Sequence, residues 1–347
     1  MQGWRSLLAG VAALGLFGCA TAPEPSPAPP AGLAAPVWPH ETADLAPDPA
    51  ARFGMLDNGM RYQIQRNTQP AGVAAFRLRI AAGSLQEEDD QEGFAHFLEH
   101  MAFNGSKNVP EGEMIKLLER QGLAFGPDTN AYTSFGETVY QLDLPDTDQD
   151  TLDTAFLLLR EIGDRLTLAQ DAIEREKGVI LAEERARDTP ESRIFERRFG
   201  FWLKDQRLPT RYPIGKVEDI KGATAARMRA FYEAYYRPER SFLAIVGDID
   251  PEAIEARIKA SFGDWRAEGS DPADPGLGAV AARSAEADLI VEPKGPTTLT
   301  VAWTSPPDRR PDLRAARAEE TRRAVALAVI NRRLERIARG ADAPFIA

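Results

Sequence analysis

Four apolar residues, Phe94, Phe97, Leu98 and Met101, fall at helical spacing around the string His96-Phe97-Leu98-Glu99-His100. A stripe with that period predicts a helix pressed into a core. Positions 96 and 100 of such a helix lie one turn apart on one side. The chain has only three histidines, and two of them are here. Their imidazoles can converge on one cation, with Glu99 beside them to hold a water without binding the ion. Two nitrogen ligands and a general base are the working parts of a zinc hydrolase site. The order H-x-x-E-H reverses the commoner H-E-x-x-H.

A catalytic zinc takes three protein ligands and keeps a fourth position open. His40 lies in a proline-rich stretch and Cys19 in the leader, so the third donor is expected to be a carboxylate. Segment 171–184 reads as a helix with Ile173, Val179, Ile180 and Ala182 at its apolar positions, and it carries Glu174, Glu176 and Glu183. Asp171-x-x-Glu174 also matches a capping box, in which the glutamate closes the helix start. Spacing and composition do not choose among the three.

The stretches 93–106, Asn130-Ala131-Tyr132-Thr133-Ser134 and 173–180 resemble the pitrilysin/insulysin family of zinc peptidases. The likeness is nearest to its long periplasmic bacterial members, which carry a run similar to Gly-Ser-Leu-Gln-Glu-Glu at 83–88. It extends from about residue 48 to the end. The resemblance implies an α+β fold of repeated α/β two-layer domains of the metallopeptidase clamshell type, with a mixed, mainly antiparallel sheet packed with helices. It also implies one zinc ion, held by His96, His100 and Glu174, with Glu99 as base. Glu174 stands 74 residues after His100, in a glutamate-rich context like the family's. Thr167 then occupies the position where the family carries a second glutamate, about seven residues before the third ligand. Asn130 and Ala131 resemble the edge strand that pairs with the substrate backbone. The family's arginine and tyrosine that clamp the reaction intermediate come from its carboxy-terminal half, and no matching segment precedes Ala347. Phe103, beside the metal helix, reads either as the wall of a side-chain pocket or as core.

A formal net charge of −11, from 53 acidic and 42 basic residues, argues against a nucleic-acid binder. At the amino terminus, Arg5 precedes an apolar run at 7–17, too short to span a membrane. Leu16-Phe17-Gly18-Cys19 resembles a bacterial lipoprotein processing box, and an ordinary secretory signal cut near 20–22 is the other reading. Both place the protein outside the cytoplasm, in the periplasm or at the outer membrane, with lipid at Cys19 the only membrane link. Cys19 is the single cysteine, so no intrachain disulfide forms.

The chain then divides into a leader (1–19), a Pro/Ala-rich tether (20–50), a catalytic domain (51–265), a linker (266–285) and an incomplete second domain (286–347). A hairpin with a tight primed turn at Asn58-Gly59 is predicted to open the catalytic domain. Strands are predicted at 73–80, within 131–144, at 241–247, 289–291 and 298–303. Helices are predicted at 110–118, 152–166, 171–187, 224–236, 251–262 and 313–339. The expected function is zinc-dependent hydrolysis of peptides or unfolded polypeptides, with second-half domains completing the site. The alternatives are a catalytically silent member acting as a scaffold or partner subunit, and a structural zinc protein.

Overall fold

The computed structural model describes residues 38–347, apart from 125, 127, 268, 281, 282, 307, 309, 341, 344, 346 and 347. The leader and the first part of the tether lie outside the described residues. The described residues form two compact units, one within 47–307 and one of the described residues of 308–347 with 38–46.

The larger unit is built on a six-stranded sheet in the order β1-β2-β6-β3-β5-β4. Its strands are β1 (Ala51–Met55), β2 (Arg61–Arg66), β3 (Ala74–Ile80), β4 (Thr129–Thr133), β5 (Thr138–Leu144) and β6 (Ser241–Gly247). Neighbours are antiparallel except β2 and β6, which run parallel with Tyr62 opposite Leu243. Strand β3 sits near the middle because its sequence alternates: Phe76, Leu78 and Ile80 are fully buried while Arg77 and Arg79 on the other face stay partly open. The helices cover the buried face. They are α1 (Phe94–Met101), α2 (Glu113–Arg120), α3 (Gln149–Asp164), α4 (Gln170–Arg187), α5 (Pro190–Trp202), α6 (Val217–Gly222), α7 (Ala225–Tyr235) and α8 (Pro251–Phe262). Phe156 of α3 meets Phe76 edge-on at 5.6 Å, and Phe262 of α8 lies beside it at 6.4 Å. Burying rings of this size contributes roughly 1.5–3 kcal/mol each.

The β1–β2 hairpin forms, but its turn differs from the expected primed pair. Leu56 N–H donates to Met60 O and Gly59 N–H to Leu56 O, and Gly59 carries the left-handed φ of 89°. That is a three-residue loop closed by a glycine bulge. The strands expected at 289–291 and 298–303 are absent. Residues 289–303 have no regular structure, and Leu299 and Trp303 are about nine-tenths exposed. An alternating apolar pattern makes a strand only where another strand takes its hydrogen bonds.

Segment 266–285 is tied to the larger unit. Arg237 donates to Gly269 O at 3.0 Å, Arg240 to Asp274 at 2.8 Å, and Arg207 N–H to Leu277 O at 3.0 Å. In the smaller unit, α9 (Arg314–Ala338) runs 25 residues without a buried side chain, and Asp44 accepts from Arg314 N–H at its start. Among the described residues no helix is long and apolar enough to cross a membrane.

Candidate metal centre

Helix α1 is aimed from outside itself. Its N-cap is Gly93, at φ 101°, which has no side chain to satisfy the first amides. Glu87 does that work: its fully buried carboxylate accepts from Gly93 N–H at 3.0 Å and from Ala95 N–H at 2.8 Å. Burial pushes the Glu87 pKa up, against the pull of these two amides. A side chain at Gly93 would meet Gly215 at 3.0 Å, so the entry to α1 is packed backbone to backbone. Beyond its end, buried Glu161 of α3 accepts from Ser106 Oγ and Asn108 N–H, at 2.7 and 2.8 Å. Both flanks of the short helix are therefore fixed by buried carboxylates.

His96 and His100 emerge from the same side, with ring centroids 4.7 Å apart. Their Nε2 atoms are 3.2 Å apart. The carboxylate that joins them is Glu183: its Oε2 lies 3.6 Å from His96 Nε2 and 3.5 Å from His100 Nε2. Among the described residues, these three form the one group with the spacing of a metal site. Bonds of about 2.0–2.1 Å in a tetrahedron set ligand atoms about 3.3 Å apart. The three observed separations bracket that value, so the donor set fits a zinc ion.

The protonation pattern agrees. His100 Nδ1–H donates to Glu176 Oε1 at 2.7 Å, which fixes the tautomer and turns the Nε2 lone pair toward Glu183. Asn104 Nδ2 donates to the other Glu176 oxygen at 3.0 Å. The hydrogen bond from His100 holds the Glu176 carboxyl below its usual range. Burial pulls His100 down, but the Glu176 hydrogen bond and charge outweigh it, so its pKa moves up. His96 has no such partner: burial, then the charge of His100, lowers it to about 4, and its Nδ1 is buried without a hydrogen bond. The lowered pKa keeps His96 an uncharged imidazole at neutral pH, able to offer a nitrogen lone pair to a cation.

Glu174 is not brought to this group. It lies on the exposed side of α4, paired with Lys177 at 2.8 Å and accepting from Gln170 at 2.7 Å. Helix geometry gives the reason. Nine residues at 100° each place position 174 half a turn away from 183, whereas seven residues return 176 to the same face as 183. Ile173 and Ile180 share that seven-residue step and are fully buried, while Val179 is exposed. With Glu183 as the candidate third donor, the residue seven positions before it is Glu176, whereas Thr167 stands seven before Glu174. Thr167 instead bonds Gly105 O through its hydroxyl at 3.0 Å. The spacing of Glu176 and Glu183 was the sequence signal that identifies the pair.

Glu99 points from α1 toward β4, where Thr133 Oγ1 donates to its Oε2 at 2.6 Å. Burial raises the Glu99 pKa, opposed by that hydrogen bond. Asn130 and Ala131 lie on β4, at the edge of the sheet, opposite Gln141 and Tyr140. The exposed Asn130 side chain accepts from Ala131 N–H at 2.8 Å. Phe103 packs against the hydrophobic core.

Two family models match the chain: Insulinase (Peptidase family M16) over residues 62–206, and Peptidase M16 inactive domain over 222–339. The probable zinc protease PqqL of Haemophilus influenzae is 40% identical over 215 residues, 62% of this chain and 23% of that protein. Its namesake in Escherichia coli K12 is 40% identical over 217 residues, with the same shares of the two chains. The crystal structure of the first half of the periplasmic protease PqqL from Escherichia coli superposes with a TM-score of 0.64 at 38% identity, over 67% of this chain and 50% of that one. The ferredoxin protease FusC, solved with Arabidopsis ferredoxin, gives 0.61 at 30% identity, over 64% of this chain and 25% of that one. The chain thus spans about a quarter of the length of the curated PqqL relatives it matches. Its inverted histidine motif, its sheet and helix order and both family matches agree: the chain belongs to the insulinase/pitrilysin family, peptidase family M16.

Proposed function

We propose that this chain is the zinc-binding part of an endopeptidase that hydrolyses extended polypeptides outside the cytoplasm. His96, His100 and Glu183 are the ligands and Glu99 is the general base. The observation that carries the reading is the convergence of three donor atoms beside a half-buried carboxylate that is not one of them. A zinc ion held there supplies Lewis-acid polarisation of the scissile carbonyl and acidifies the attacking water.

The chain's own groups do the rest. With Oε2 of Glu99 held by Thr133, Oε1 is the atom that takes the proton from the water and passes it to the leaving nitrogen. A pKa raised by burial suits a group that must keep that proton between the two transfers. Thr133 ends β4, so the base is referenced to the strand whose open backbone edge can take an extended peptide by strand addition. Asn130 and Ala131 lie on that edge.

The relative FusC, solved with a protein bound, supports a polypeptide substrate. The PqqL relative described as a periplasmic protease supports the periplasm, and lipid at Cys19 would hold the protein at a membrane there. Because a solved relative is one half of a longer protease, further domains of that kind are proposed to supply the groups that clamp the reaction intermediate.

The test is zinc content together with cleavage of quenched peptides, with and without chelator. Glu99→Gln is expected to keep its zinc and lose about 10²–10⁴-fold in kcat/KM. Retained activity would remove Glu99 from its role. Bound zinc with no cleavage, in the unaltered protein joined to those further domains, would point instead to a silent partner subunit.

A further inference from the structure

An aromatic cluster stands where β4 runs out, and the hydrolytic chemistry does not use it. Phe135 follows Thr133 by two residues, at most about 7 Å of extended chain. Its ring lies 6.0 Å from Phe199 and 6.0 Å from Tyr212. Phe195 stacks on Phe199 at 5.4 Å and meets Tyr212 at 6.4 Å. These separations are those of favourable aromatic pairs. The rings nevertheless do not form a closed core. Helix α5, which supplies Phe195 and Phe199, has no buried residue, and Phe195 is 42% exposed. The platform is held from below: Leu85 N–H donates to Phe135 O at 2.8 Å, Ser84 Oγ donates to Arg211 O at 2.6 Å, and the Tyr212 hydroxyl reaches Glu196 O at 3.4 Å. Four rings, fixed in place and left partly open, form an apolar surface that calls for an occupant.

We propose that Phe135, Phe195, Phe199 and Tyr212 form a substrate subsite that receives an aromatic or large aliphatic side chain of the bound polypeptide. This rests on the peptidase reading. Continuity supports the occupant: a peptide paired along the free edge of β4 passes Thr133, which bonds the base, and reaches Phe135 within two further residues. The recognised side chain therefore lies within about three residues of the cleaved bond. Strand addition alone reads backbone and little sequence; the ring platform adds the side-chain preference it lacks.

The test uses fluorescent peptides that carry Phe or Gly in turn at each of the three positions flanking a fixed cleavage site. Cleavage is followed with the zinc-loaded protein, and binding by anisotropy with its Glu99→Gln variant. A Phe-to-Gly ratio of about tenfold is expected at one position, in kcat/KM and in affinity. The ratio should fall toward one in Phe195→Ala and in the Phe195→Ala/Phe199→Ala double variant, with circular dichroism melts verifying the fold. No preference in the unaltered protein, or the same ratio in the variants, overturns the subsite. If another segment of a longer chain covers the rings, the variants lose melting temperature at an unchanged ratio, which also overturns it. Failure to cleave any peptide counts against the hydrolase reading alone, because the binding arm still reports the ratio.

Discussion

Three glutamates of α4 differ in consequence because of their angular position on one helix. Glu183→Gln removes the charged donor that faces both Nε2 atoms, and zinc affinity should fall at least about 100-fold, measured against a competing chelator. Glu176→Gln loses only the acceptor that orients His100, and a loss of about 10–100-fold is expected. Glu174→Gln should leave affinity unchanged, since its partners are Lys177 and Gln170. Equal losses in Glu174→Gln and Glu183→Gln would refute the assignment. The histidine pair and Glu99 were legible in the sequence because one short motif holds all three. The carboxylate that the structure brings to the histidines was not: it depends on the phase of a distant helix, and the capping pattern and family-like context around Glu174 drew attention to the opposite face. Thr133 was equally hidden, since nothing in its local sequence announces a bond to a residue 34 positions earlier.

Elements were legible where one face is strongly apolar. Strand β6 and helix α8 stand where the apolar run Phe-Leu-Ala-Ile-Val and the proline at a helix start put them. Helix α5 was missed because it buries nothing and so carries no stripe to read. The parallel pairing of β2 with β6, from opposite ends of the unit, leaves no local trace either. One polar joint between elements is open to test. Glu255 of α8 accepts from Tyr62 of β2 at 2.8 Å and pairs with Arg52 of β1 at 2.8 Å and Lys259 at 2.7 Å. The Lys259 and Tyr62 hydrogen bonds lower its pKa to about 2. A depressed carboxylate stabilises the fold above its unfolded value, near 4.5, and the contribution disappears as pH falls through about 2. The side chain is 22% exposed, so Glu255→Gln should cost about 1 kcal/mol at pH 7. Denaturant titrations should find that difference shrinking steadily from pH 4.5 to 2; a constant difference would show that the charge plays no part.

The whole molecule divides into one unit with a sheet, a core and a candidate site, and one dominated by an exposed helix. The short stretches 289–291 and 298–303 read as strands in the sequence, but residues of one segment cannot supply the partner a strand needs. With Leu289, Leu299 and Trp303 at least 80% exposed and no regular structure around them, first cuts by chymotrypsin should fall within 289–303. Mass spectrometry of early fragments reads this directly, and first cuts inside β3 or α1 would contradict it. The larger unit has a single chemical consequence: it carries Glu183 across 83 residues of chain to the two histidines. Anomalous diffraction at the zinc edge, on crystals of the zinc-loaded protein, tests that claim. The account predicts one zinc peak about 2.0–2.2 Å from His96 Nε2, His100 Nε2 and a Glu183 oxygen, with one position free of protein. A peak on Glu174, a fourth protein ligand, or no peak between the two histidines would contradict it.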